Sequence, residues 1–351
     1  MANWLSGYTT RKKITIDKSK IDADLTDFPV LVKLTSSNFD FSKANSDGFD
    51  LRFTSSDGTT LLKYERERHD ATNKLAEYWV KIPSISSTAN TIFYLYYRVE
   101  DTDDGADPTN VWDSNFKGVW HMKDLTTSTI EDSTSNNNDG TKKAANEPTQ
   151  ADGQIAKAQN FDGTNDYIQT GDAPSLDISG TSPITEEAWV KIDTIPSTHP
   201  YAVTMITETG NLDTTYDKGI KITTAGKATF YVYDGSIKEV VGKTTLATGT
   251  WYHLVGLYNG TNIKIYVNGV DDESASVTAT KTYNFTTPQL VISLANVINS
   301  YVDGIIDEVR ISNTARSAAW IKASYYSGNN SLVSYGSEEG IDNAIFFGCN
   351  F

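Results

Sequence analysis

Hydrophobic and polar positions alternate along most of this chain with the period of two that marks half-buried strands. The clearest stretch is 251–270. There Trp251, His253, Val255 and Leu257 fall on one face, and Tyr252, Leu254 and Tyr258 on the other. Ile263, Ile265 and Val267 then alternate with Asn262, Lys264 and Tyr266. Asn259-Gly260 and Asn268-Gly269 punctuate the run, and Asn-Gly tolerates the positive φ that tight hairpin turns require. The pattern predicts a double hairpin. Its first strand is apolar on both faces, as in the middle of a packed sandwich.

The same alternation predicts six strands before residue 100, at 12–16, 28–34, 49–53, 61–66, 76–82 and 91–98, separated by turn chemistry such as Asp47-Gly48 and Asp57-Gly58. Residues 101–115 open with an acidic, turn-rich run and predict a linker, read as a solvated connector or alternatively a cation-binding loop. Farther on, Ile220/Ile222, Phe230/Val232 and Ile237/Val240 form a three-strand meander broken at Ala225-Gly226 and Asp234-Gly235. A short helix is expected only within 317–326. The pattern therefore predicts an all-β chain of two β-sandwich (jelly-roll) domains in tandem, at 1–100 and 116–337, followed by an apolar tail at 338–351.

Composition and the character of particular segments sharpen this picture. The formal net charge of −15 argues against binding nucleic acid or an anionic membrane through phosphates. No segment approaches the roughly 18 apolar residues of a membrane helix. The single cysteine, Cys349, excludes an intrachain disulfide. The first ten residues lack the basic and apolar regions of a signal peptide. The expectation is a trimmed chain, or one leaving the cell by another route such as a particle released by lysis.

Two resemblances attach to particular residues. Trp4, Tyr8, Arg11-Lys-Lys-Ile14-Thr-Ile16, Asp24-Leu-Thr-Asp-Phe-Pro-Val30, Asp47-Gly-Phe-Asp-Leu-Arg-Phe53, Tyr78-Trp-Val-Lys-Ile-Pro83 and Tyr94-Leu-Tyr-Tyr97 resemble an uncharacterised β-rich module. That module often precedes a concanavalin A-like domain in bacterial surface and virion proteins. Residues 153–167, 184–190, the opening hairpins and 302–310 resemble, in order, the laminin G-like, concanavalin A-like lectin/glucanase superfamily over about 116–336. The resemblance implies a jelly roll of two curved antiparallel sheets.

Chemistry is sparse. The glucanases of that superfamily carry Glu-x-Asp-x-x-Glu on one strand, a spacing absent here. The adjacent pairs Glu186-Glu187 and Asp307-Glu308 are expected to point to opposite faces, so neither by itself forms a glycosidase dyad. The four histidines, His69, His121, His199 and His253, lack zinc-site spacing, and His253 reads as a packed structural residue. Asp162-Gly-Thr-Asn165-Asp166 offers three side-chain oxygens within five residues, which suits a hard cation. The resemblance implies that Asp307 completes a structural Ca2+ site there; the alternative is a tight turn at Asp162-Gly163 and a turn cap at Asp307. Tyr201, Tyr216, Tyr231 and Tyr233, with Asn211 and Asp213, could meet a sugar, although tyrosines are common on all-β surfaces without a ligand. Ile345, Phe346, Phe347 and Phe351 pack on their own chain or on a neighbouring subunit.

The expected function is a non-enzymatic virion surface protein: a head-decoration, fibre or tail-associated subunit, homo-oligomeric and contacting glycans or neighbouring virion subunits. The alternatives are a cell-surface adhesin, or a glycan-degrading enzyme or its carbohydrate-binding accessory domain.

Overall fold

The computed structural model describes residues 3–97, 103–144, 147–197, 201–208, 218–280, 287–295 and 300–341. The protein is all-β apart from short 3-10 turns and one α-helix among the described residues, and no described helix is long and apolar enough to cross a membrane. The chain divides into two compact units, Met1–Val111 with Asn329–Phe351, and Trp112–Gly328.

Unit 1 is a small sandwich. One sheet contains β2 (Leu25–Thr35), β5 (Leu75–Ile85) and β4 (Tyr64–Asp70) in that order. The other runs β25 (Val333–Gly340), β1 (Thr10–Ile16), β6 (Thr91–Tyr97), β3 (Arg52–Ser55). The six strands expected before residue 100 all form. The layers meet where Phe53 of β3 sets its ring against Tyr64 and Tyr78 of the facing sheet, at 5.2 and 5.6 Å between centroids.

Strand β25 was not expected in this unit. It pairs antiparallel with β1 from Thr10↔Gly340 to Ile16↔Val333, so the boundary read at residue 337 falls at Asn329. Arg11 reaches Glu339 at 2.7 Å, and the Tyr335 hydroxyl both accepts from and donates to the Lys33 backbone at 2.9 Å. The acidic run after β6 also departs from a solvated linker. Asp104 clamps Arg66 with two bonds of 2.6 and 2.7 Å, and Asp107 meets Lys63 at 2.6 Å.

Unit 2 is a larger sandwich. Its nine-stranded sheet runs β19 (Val270–Asp271), β18 (Asn262–Val267), β17 (Trp251–Tyr258), β12 (Ile184–Ile192), β24 (Asp303–Ser312), β10 (Lys157–Asp162), β9 (Thr149–Asp152). Off that path, β7 (Phe116–Trp120) joins β24 and β20 (Val277–Thr278) joins β18. The seven-stranded sheet runs β16 (Ile237–Thr245), β15 (Lys227–Tyr233), β14 (Lys218–Ile222), β13 (Tyr201–Glu208), β21 (Pro288–Ile292), β11 (Ile168–Thr170), β8 (Gly140–Lys142). A two-stranded ribbon, β22 (Leu294–Ala295) with β23 (Ser300–Tyr301), stands apart.

Alternation explains the packing. Leu254 and Tyr258 enter the core between the sheets with Phe161, Val190, Phe230 and Ile306. Val255 and Leu257 point the other way, where Ile321 of α1 (Ala318–Gly328) covers them. Asn268 and Gly269 adopt φ of +52° and +78°, the paired left-handed geometry expected of a type I′ turn. The first turn is longer. β17 ends at Tyr258 and β18 begins at Asn262, with the Asn259 carboxamide oxygen capping the N–H groups of Thr261 and Asn262.

Candidate functional site

The outer face of the seven-stranded sheet carries one row of side chains, buried at Tyr231 and Val291 and more accessible at Gln169 and Glu239. Tyr231 stands opposite Glu239 on one side and Gly219 on the other, while Gln169 stands opposite Val291 and Thr141. The neighbours of these positions, Ile168, Ile220, Phe230, Val240 and Ile292, are all in the core, so strand alternation turns this row outward. Lys221, two residues from Gly219, donates to Glu239 at 2.8 Å and holds its ammonium 4.4 Å from the centroid of the Tyr231 ring. Farther along, Gln169 donates to the side-chain oxygen of Gln289.

Carboxamides, a tyrosine and a lysine–glutamate pair on one face can meet the hydroxyls of a polar ligand from both the donor and the acceptor side. The arrangement differs from simple ring stacking. Tyr231 is only 1% exposed, and the Lys221 ammonium occupies its ring face. Tyr233 lies half-buried at the end of the same strand. Tyr201 begins β13, while Asn211, Asp213 and Tyr216 lie outside the described residues, as do Ile345, Phe346, Phe347 and Phe351. Sequence reasoning missed Lys221, although it alternates with Ile220 and Ile222 in the meander. Gln169 and Gln289 come together from 120 positions apart, and no local signal marks such a pair.

The acidic pairs are accounted for otherwise. Glu186 turns inward and accepts from the Thr204 hydroxyl at 2.8 Å. Glu187 turns outward into a buried ladder on the nine-stranded sheet. His253 Nε2 lies 3.2 Å from Glu187 Oε2, Arg310 Nη1 lies 3.5 Å from Glu187 Oε1, and Arg310 Nη2 lies 2.5 Å from Glu308 Oε2. His121 Nδ1 closes the far end at 2.7 Å from Glu308 Oε1. Burial alone would raise both glutamate pKa values. The hydrogen bond from His253 and the charge of Arg310 overcome it at Glu187, and the charges of His121 and Arg310 do so at Glu308, holding both carboxyls below the usual range.

Asp307 and Glu308 correct a sequence expectation. Register along β12 shifts between Glu187↔Arg310 and Trp189↔Asp307, and Glu308 has φ of +52°. This is a β-bulge, so Ile306 and Val309 enter the core while both acids between them leave it. They are nonetheless committed: Glu308 to the ladder, and Asp307 Oδ2 to the Ile155 N–H at 2.9 Å.

The Asp162–Asp166 loop keeps part of its expected character. Asp162 Oδ1 accepts from the Thr164 N–H at 2.8 Å, and Asp166 Oδ2 from the Asp162 N–H at 3.1 Å. Asp307 does not join it. The register sets Asp162 against Asp303, so Asp307 lies four strand positions away, roughly 13 Å at the usual rise. Asp303 takes its place, packed where a Gly163 side chain would otherwise stand. Asp166 is buried, its Oδ1 lacks any hydrogen bond, and burial pushes its pKa up to about 6. One buried Asp166 oxygen is thus uncommitted, but the carboxylates of Asp162, Asp166 and Asp303 do not converge as a three-ligand cluster.

The geometry defines a protein whose larger unit is a jelly-roll sandwich of the lectin type. Residues 162–322 match the concanavalin A-like lectin/glucanases superfamily, and residues 47–142 match a domain of unknown function; the chain thus carries a concanavalin A-like domain preceded by that module. No curated protein matches the chain. Among solved structures, domain 4 of AbnA, an extracellular arabinanase of Geobacillus stearothermophilus crystallised with arabinotriose, is 20% identical at a TM-score of 0.46, covering 59% of this chain and 97% of that one. The binding domain of Paraclostridial mosquitocidal protein 1 is 16% identical, with a TM-score of 0.45 and coverage of 61% and 52%. The receptor-binding domain of botulinum neurotoxin C/D mosaic serotype is 15% identical, with a TM-score of 0.45 and coverage of 60% and 51%. The match thus spans about half the length of each toxin domain.

Proposed function

We propose that this is a non-enzymatic, glycan-binding surface protein, with the outer face of the seven-stranded sheet as its binding surface. The observation that carries the reading is the Lys221–Glu239 pair beside Tyr231, on the same face as Gln169. In this reading Lys221 and Glu239, the more accessible members of the row, engage the saccharide, and the buried Tyr231 ring positions the ammonium. The committed state of the acidic pairs supports a role without hydrolysis, because a glycosidase needs two carboxylates free to face one bond. In this reading a structural calcium ion at the Asp162–Asp166 loop, bound through the uncommitted Asp166 oxygen, steadies the connection between β10 and β11 and takes no part in sugar chemistry.

We place the protein on a virion, as a decoration, fibre or tail-associated subunit, on the pairing of its two modules and its acidic charge. In this reading it is a homo-oligomer joined through the apolar stretch at 345–351. A glycan array probed with the full chain and with Lys221→Ala tests the binding face: signal on a defined glycan that disappears in the variant supports it. Equal signal from both proteins, or release of reducing sugar from a polysaccharide panel, overturns the reading. Light scattering before and after removal of 342–351 tests assembly, and proteomics of purified particles tests location.

A further inference from the structure

Unit 1 contains a cavity unrelated to the sheet face of unit 2. Its volume is about 610 Å3, within the range of small-molecule sites. It is bounded by the 36–42 loop after β2, by Lys12 of β1, by Lys74 in the β4–β5 turn and by Glu338 of β25. The loop is preformed. The N–H groups of Asn38 and Phe39 donate to Thr35 O at 3.1 and 2.9 Å, and the Asn38 carboxamide bonds Thr35 N and Lys33 O at 2.8 and 3.0 Å. The Phe39 ring packs edge-on against Phe41 and Tyr97, at 5.0 and 4.9 Å between centroids.

The charges around this cavity are unequally committed. Glu338 is satisfied by Lys43 at 2.6 and 2.9 Å and by the Tyr97 hydroxyl at 3.0 Å. Asp40 Oδ1 accepts from the backbone and hydroxyl of Ser42. Lys12 donates one N–H to Asn38 O at 2.5 Å and has two to spare. Lys74 is exposed and makes no hydrogen bond or salt bridge among the described residues. The groups left to meet a ligand are the two spare Lys12 N–H groups, the Lys74 ammonium and Asp40 Oδ2, so two ammonium groups face an anion that must keep clear of one carboxylate oxygen. Burial draws the Lys12 pKa below its ordinary value, Glu338 opposing and Lys43 reinforcing that shift, and an anion beside Lys12 would favour its charged form.

We propose that this cavity binds a saccharide unit bearing one oxyanion (carboxylate, sulfate or phosphate ester), with Lys12 and Lys74 on the charged group and the Ser36 and Ser37 hydroxyls on the ring hydroxyls. The site is separate from the sheet face, so either reading can fail alone.

The test is calorimetric titration of the full chain with glucuronate, a sugar sulfate, a sugar phosphate, neutral glucose, and inorganic sulfate and phosphate. At least one charged sugar binds, neutral glucose does not, and added salt weakens the binding. Lys74→Glu, at an exposed position of the β4–β5 turn, weakens it by about tenfold to a hundredfold, as loss of a charged hydrogen bond should, while Lys74→Arg retains it. Lys221-dependent glycan binding is unchanged in Lys74→Glu. The proposal is overturned if no charged sugar binds at millimolar concentration or if Lys74→Glu binds like the parent. It is equally overturned if the inorganic anions bind as tightly as the sugar.

Discussion

Replacing Arg310 by methionine probes the buried ladder most directly. The guanidinium serves two carboxylates at 3.5 and 2.5 Å, and none of the three side chains is more than 7% exposed. Methionine retains most of the side-chain bulk and removes the charge, leaving Glu187 with His253 and the charge of Arg316, and Glu308 with His121, among the described residues. Breaking a buried ion pair from one side costs about 3–5 kcal/mol. For a unit of this size each kcal/mol moves Tm by about 2–4 °C, so the unit 2 transition falls by roughly 6–20 °C in calorimetry. The pH dependence adds a second readout. In the parent both carboxyls titrate below the unfolded value of about 4.3, so their stabilisation is complete above that value and fades as pH falls through the folded pKa values. In Arg310→Met burial dominates and raises the folded pKa values, so stability is retained in acid and lost as pH rises. The two Tm profiles should converge in acid and separate toward neutrality. A variant with the parent's Tm and pH slope would refute the ladder.

Calcium should raise the Tm of unit 2, and the rise should vanish with chelator and in Asp166→Asn; no shift in the parent removes the site. Without metal, the raised Asp166 pKa predicts stabilisation that is full below the unfolded value of about 3.9 and lost as pH climbs through about 6, a decline that Asp166→Asn should flatten. In Gly256→Ala the new Cβ would lie 2.1 Å from the Phe230 ring, and overpacking of this kind costs about 1–3 kcal/mol, read by denaturant titration. An unchanged midpoint would show that the sheets can part there. Truncation before Val333 should expose the β1 edge and drive aggregation visible by light scattering, while a soluble product with protected β1 amides would contradict the pairing.

Much of the fold was legible because alternation is local. The meander around Ile220, Phe230 and Val240 and the turn at Asn268-Gly269 follow from neighbouring residues alone. Three features were hidden because distant chain segments create them. Val333–Gly340 carries little apolar signal, and its assignment to unit 1 comes from pairing with β1. Glu308 read as an ordinary strand position until the bulge turned it outward beside Asp307. Asp303, rather than Asp307, meets the Asp162 loop because the β10–β24 register was unavailable to sequence spacing. The sheet-face site was half visible for the same reason: Tyr231 and Tyr233 lie in the meander, while Gln289 arrives from a strand far along the chain.

The pairing of Thr10 with Gly340 fixes the order in which the molecule can mature. On the ribosome β1 emerges early, but its outer neighbour emerges only after all of Trp112–Gly328 has been made. The intervening jelly roll can close first, so that β25 pairs across a folded insert rather than a long flexible loop. Until then β1 offers an open backbone edge, which makes the incomplete first unit the stage at which chaperones or misassembly would act.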